Sequence, residues 1–208
     1  MVKTSSTMLP LGSLMPDFDL PLVKVQETIK QEKLLLESMN RLNSNMFGSN
    51  PVLFLILCAH CPFVKHIESA ITDLYNDFAS HIDFIAVSSN SLATHPEDGP
   101  EFLAEQIARN GWNFPYLLDL DQTLAKSLKA ACTPDFFLFT SGVKDNPTLI
   151  YRGQFDESRP TNNFPPNGSD LRGAFEAVLN FQKVPFIQKP SIGCNIKWKP
   201  GFEPVWFD

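Results

Sequence analysis

The feature that most constrains this chain is a change of hydrophobic period at Cys58. Val52 to Leu57 is an unbroken apolar run of six residues, the pattern of a strand buried on both faces. Beyond Cys58 the apolar positions fall at helical spacing: Phe63, Ile67, Ala70, Ile71, Leu74 and Phe78, with Lys65, Glu68, Asp73 and Asp77 off that stripe. A strand therefore runs almost directly into a helix, and the junction reads CAHCPF, with Cys58 and Cys61 three residues apart. If the helix starts at Cys58, its unpaired N–H groups and partial positive charge favour a thiolate there. The spacing then sets Cys61 one turn on, on the same side, inside the disulfide-forming Cα window of about 4.4–6.8 Å. His60 adds a polarisable neighbour between the sulfurs, and Pro62 costs no helical bond in a first turn.

The rest of the chain extends this alternation. Ile82 to Val87 reads as a second strand, Pro100 to Asn110 as a helix with Gly111 just past its end, and Phe114 to Leu118 as a short strand. Asp121 is placed to cap a helix through Leu124, Leu128 and Ala131, and Asp119 reads as a strand-end residue. Phe136–Phe139 and Leu149–Tyr151 flank Ser141-Gly142 as a hairpin, and a last helix runs from about Asp170 to Gln182. Leu34, Leu35, Leu36, Met39 and Leu42 suggest one more helical face. Gly48-Ser49-Asn50 marks a turn before the first core strand. The order β-α-β-α-β-α-β-β-α predicts an α/β fold, a mixed central sheet flanked by helices. Residues 1–14 read as a lead-in, 15–184 as the domain and 185–208 as a tail packed back on it by Ile192, Ile196 and Trp198.

Composition narrows the functional classes. With 208 residues, 43% hydrophobic and 19% charged, the chain can bury a proper core without disulfide or metal staples. The net charge of −6 argues against nucleic-acid and anionic-membrane partners, which require basic patches. The longest apolar run is far short of the roughly 20 residues of a membrane helix. Pro and Gly break the N-terminal stretch MVKTSSTMLPLGSLMPDF, leaving no core for a secretory signal. The expectation is a soluble cytoplasmic protein. Structural disulfides are disfavoured in that compartment, so the close pair among Cys58, Cys61, Cys132 and Cys194 reads as catalytic or metal-binding.

The segments PDFDLP, CAHCPFVKHIE, FPYLLD, ACTPDFFLF, YRGQFDESRP and PSIGCNIKW together resemble the redoxin/thioredoxin superfamily. Within it they are similar to a peroxiredoxin-like, AhpC/TSA-related group, from about Met15 to Lys199. The resemblance implies a thioredoxin fold of redoxin type, with an N-terminal extension and a C-terminal tail. It also implies a cis peptide at Thr133–Pro134 facing the cysteine pair. There an exposed Thr133 backbone edge would receive an extended substrate chain beside Cys58. The chain departs from the thioredoxin pattern, with Leu57 rather than Trp before the first Cys and Ala59-His60 between the pair. The His resembles that of protein disulfide isomerases and implies a more oxidising poise. Pro51 and Cys58 match the spacing of a peroxidatic motif, but Leu55 stands where a hydroxyl would contact peroxide.

Three readings follow. In the first, a thiol–disulfide oxidoreductase, Cys58 attacks and Cys61 resolves. In the second, a peroxiredoxin-like peroxidase, Cys58 becomes a sulfenic acid that condenses with Cys61. In the third, Cys58, His60 and Cys61 serve a metal-binding or chaperone-like module, although no second CxxC or HxxxH completes a tetrahedral site. The first two require no cofactor and no metal. They take a protein disulfide or a peroxide as substrate and a thioredoxin- or glutathione-type reductant. Cys132 and Cys194 are candidate auxiliary thiols. For Cys194 the sequence favours a buried structural cysteine over a relay thiol, since nothing electropositive neighbours it. Arg152 and Arg159 read as structural or solvated arginines first. Lys65, His66 and Glu68 are expected on an exposed helix face, and His81 and His95 show no partner pattern.

Overall fold

The computed structural model describes residues 3–23, 40–47, 49–142 and 146–206. The proposed helical face through Leu34, Leu35, Leu36 and Met39 lies outside the described residues, as does Gly48; Leu42 falls in a short strand.

In chain order the strands are β1 (Lys3–Ser5), β2 (Asp19–Pro21), β3 (Arg41–Asn43), β4 (Val52–Ile56), β5 (Asp83–Ser88), β6 (Tyr116–Leu118), β7 (Cys132–Thr133), β8 (Asp135–Phe139), β9 (Leu149–Gly153) and β10 (Ile192–Asn195). The α-helices are α1 (Pro62–Phe78), α2 (Pro100–Asn110), α3 (Thr123–Ser127) and α4 (Ser169–Leu179). The main sheet has the order β6-β5-β4-β8-β9. β4, β5 and β6 are parallel, while β8 and β9 run antiparallel at the other side. This is the mixed sheet that the alternating pattern predicts, with the β8–β9 pair closing it.

The apolar run that becomes β4 is continuous because both of its faces are covered. Leu53, Leu55 and Leu57 enter one core cluster with α1, α2 and α4; Val52, Phe54 and Ile56 enter the other with Phe18, Leu124 and Trp198. Successive side chains of a strand point to opposite faces, so one strand nucleates both layers. Each such side chain contributes about 1.5–3 kcal/mol when fully buried. In α1, Phe63, Val64, Ile67, Ala70, Ile71 and Leu74 form the buried stripe. Gly111 ends α2 in the left-handed conformation, φ 64°, the role its position suggests.

Several local details differ from the sequence reading. The helix α1 begins at Pro62, with Cys61 as its N-cap, so Cys58 sits in the loop before the helix rather than in its first turn. The proline explains this, because it favours N1 and pushes the residue before it out of helical geometry. Asp121 does not cap α3. Asp119 does, fully buried at the end of β6, accepting from the N–H groups of Leu124 at 3.2 Å and Ala125 at 2.8 Å. Glu68 is buried, not exposed: Gln106 donates to it at 2.8 Å and Arg109 at 3.0 Å. Within residues 1–14, β1 belongs to a second sheet of order β1-β10-β7. The tail folds back through Cys194, Ile196 and Trp198, which are buried, whereas Ile192 is 38% exposed. No helix among the described residues is long and apolar enough to cross a membrane.

Candidate redox site

The loop from Leu57 to Cys61 leaves the carboxyl end of β4, where open α/β sheets hold their ligands. Gln106 of α2 anchors it by donating to the Cys58 carbonyl at 3.2 Å. Opposite lies Thr133–Pro134, a cis peptide between β7 and β8. Thr133 faces both sulfurs. Its Oγ1 is 3.5 Å from Cys58 Sγ, and its carbonyl accepts from the Cys61 thiol at 3.3 Å. Cys58, Cys61 and Cys194 lie close enough to shift one another's proton affinity. All three thiols are buried, Cys58 and Cys61 at 0% exposure.

The expected exposed edge at Thr133 is absent. Thr133 is buried, and β10 pairs antiparallel with β7, setting Cys194 opposite Thr133 and Asn195 opposite Cys132. The chain's own tail occupies that edge. Cys132 is turned away from the pair, donating to the Pro134 carbonyl at 3.6 Å.

Electrostatics also correct the sequence argument for Cys58. Burial, and then the hydrogen bond with Cys61, push the Cys58 thiol well above the usual range. Cys61 is held low, foremost by hydrogen bonds from Cys194 and Cys58, with smaller help from Thr133 and the Val64 N–H, against burial. Losing one proton therefore charges the pair rather than one residue.

His60 brings in a residue that sequence reasoning missed. Asp98, fully buried, accepts at one oxygen from the Ala59 N–H at 2.9 Å and the His60 N–H at 3.2 Å, and at the other from Asn90 Nδ2 at 2.7 Å. His60 Nδ1 meets that second oxygen at 2.7 Å. Burial pushes the Asp98 carboxyl up, but His60 and Asn90 hold it below the usual carboxylate range, so Nδ1 carries the hydrogen and Nε2 titrates. The His60 pKa is raised in turn, chiefly by this hydrogen bond and against burial. His95 stacks on His60 at 5.4 Å. The one sequence signal for Asp98 was an acidic residue in a Pro/Gly-bounded loop, too common to single it out.

Among the described residues two sets bring three ligand atoms within 4.8 Å of one another: Cys58, His60 and Asp98, and His60, His95 and Glu97. Four N–H groups already occupy Asp98, which leaves it poorly disposed as a ligand. Arg152 binds the Leu9 carbonyl and Gln188, while Arg159 binds the Asp156 and Ser158 carbonyls and Gln154. Both arginines hold loops together.

The chain is 38% identical to an uncharacterized conserved protein from Geobacillus kaustophilus, with a TM-score of 0.84 over 97% of this chain and 98% of that one. It is 36% identical to a hypothetical protein from Sinorhizobium meliloti 1021, with a TM-score of 0.83 over 95% and 100%. A secreted Mycobacterium tuberculosis disulfide oxidoreductase shares the thioredoxin fold at 12% identity, with a TM-score of 0.52 over 77% and 95%. No curated protein matches the chain. Residues 11–153 match the model of the AhpC/TSA family, in agreement with the redoxin-type sheet and the position of the cysteine loop. The chain belongs to the AhpC/TSA family.

Proposed function

We propose that this protein is a thiol–disulfide oxidoreductase whose redox couple is Cys58 and Cys61. The observation that carries this reading is that both sulfurs, beyond the end of β4, meet Thr133 of the cis Thr133–Pro134 peptide. Cys58 is the attacking sulfur. The pair holds one proton when it reacts, and Thr133 favours that proton on Cys61: the Cys61 thiol donates to the Thr133 carbonyl, and the Thr133 hydroxyl turns to the Cys58 thiolate. The Cys58 thiolate attacks one sulfur of a substrate disulfide, the S–S bond breaks, and the leaving thiolate takes a proton from the His60 imidazolium. Neutral His60 then accepts the Cys61 proton, and Cys61 attacks Cys58 Sγ. This releases the reduced substrate and leaves a Cys58–Cys61 disulfide for an external thiol reductant to reopen.

Replacing Cys61 by Ser is expected to trap a mixed disulfide on Cys58 during insulin reduction. An adduct found on Cys61 in the Cys58→Ser variant, with none on Cys58 in the converse variant, reverses the order of attack. The absence of any insulin reduction sinks the reading.

A second reading, a hydroperoxidase, draws on one specific observation. The hydroxyl missing at Leu55 is supplied near Cys58 by Thr133, and a fully buried thiol admits a small oxidant more readily than a protein. Thiol-dependent peroxide consumption exceeding disulfide reduction would favour it.

A further inference from the structure

The tail strand β10 lies where an extended substrate would be expected. An extended guest chain can add to an open strand edge by main-chain pairing, and the edge of β7 at Thr133 is the one beside the cysteine pair. Here β10 makes that pairing from within. Cys194 is opposite Thr133, the residue that touches both sulfurs of the pair. The seating is close: a Cβ on Gly193 would stand 2.1 Å from the Thr133 carbonyl oxygen, so only glycine lets the strand approach this far. β1 braces the other edge of β10, with Lys3 opposite Cys194. At this position Cys194 is buried in the same core cluster as Cys58 and Cys61, and it and Cys61 shift each other's proton affinity, as a substrate cysteine against the site would.

We propose that β10 is a built-in substrate strand and that Cys194 is a third redox thiol, which takes over the Cys58–Cys61 disulfide as a Cys61–Cys194 disulfide. This rests on the Cys58/Cys61 couple proposed above. The exchange needs no further oxidant. Cys194 loses its proton to water and attacks Cys61 Sγ; the Cys58–Cys61 bond breaks with its electron pair on Cys58; Cys58 takes a proton from water, so the net proton transfer is from Cys194 to Cys58. One disulfide is consumed and one formed. Cys58 returns as a thiol ready for a second substrate, while the oxidising equivalents reside in β10, where an external thiol reductant removes them.

Peptide mapping tests this. Reduced full-length protein is oxidised with diamide, quenched in acid and alkylated. The wild type is expected to yield both Cys58–Cys61 and Cys61–Cys194. Cys58→Ser and Cys58→Ala are expected to lose two free thiols per chain as Cys61–Cys194, and Cys194→Ser to yield Cys58–Cys61 alone. If the wild type forms only Cys58–Cys61 and both Cys58 variants keep Cys61 and Cys194 free, the relay is overturned and the couple stands. A Cys58–Cys194 bond in place of Cys61–Cys194 also overturns it. If the wild type forms no Cys58–Cys61 bond, the couple itself fails.

Discussion

His60 Nδ1 lies 2.7 Å from Asp98 Oδ2, and the Asp98 side chain is wholly buried. The carboxylate cannot exchange this partner for water, so it fixes the imidazole tautomer and leaves Nε2 as the titrating nitrogen. The arrangement resembles the orienting acid of a catalytic triad, with Cys58 Sγ as the third member of the cluster.

Asp98→Asn is expected to lower the His60 pKa, because what chiefly raises it is the hydrogen bond that Nδ1 donates to this carboxylate. The sign follows from linkage. A histidine held above its ordinary value near 6.5 contributes stability below that value and loses it as pH rises through the raised one. NMR titration of His60 in both proteins checks this, and an unmoved midpoint removes Asp98 as the positioning residue. His60→Ala carries the same logic to the redox couple. Without a cation beside Cys58 the reduced thiolate form is less favoured, so the reduction potential is expected to fall by tens of millivolts, where about 30 mV corresponds to about 1.4 kcal/mol. An unchanged redox titration would remove His60 as a tuner.

Asp135, the residue after the cis proline, is fully buried at the start of β8, and burial pushes its carboxyl up to about 8. The folded chain therefore keeps a proton that the unfolded chain releases near the ordinary value of 3.8. Stability is expected to fall as pH rises from about 4 towards 8 and then to level off. Asp135→Asn should remove that slope. Denaturant midpoints of both proteins across this range measure it, and parallel profiles would refute the assignment.

Gly193→Ala tests how β10 is held. The new Cβ would collide with the backbone of Thr133, which has no flexible end to move aside. The expected cost is about 1–3 kcal/mol, typical of overpacking. Loosening β10 should also speed alkylation of Cys194 and Cys61, both nearly sealed from solvent. Unchanged alkylation rates together with unchanged stability would show that the strand is not seated as described.

What the sequence by itself determined is local. Hydrophobic period identified β4 and α1 because burial on two faces, or on one helical stripe, is written into consecutive residues. It placed Cys58 and Cys61 at a strand–helix junction, Gly111 at the end of α2, and β8 and β9 as an antiparallel pair. Even there, the one-turn difference between a helix starting at Cys58 and one starting at Pro62 changed which sulfur the helix caps. Tertiary structure decided the rest. Period tells which face of an element is buried, never what covers it. Asp98 reaches His60 across 38 residues of chain because the loop after β5 folds over the β4 loop. Glu68, which looks solvent-facing in sequence, is enclosed by Gln106 and Arg109 of α2. Cys194, with nothing in its own segment to mark it as reactive, acquires Cys61 and Thr133 as neighbours through the pairing of β10 with β7. Main-chain hydrogen bonding of that kind depends little on side-chain identity, so the register that brings a distant thiol to the site leaves almost no trace in the sequence around it.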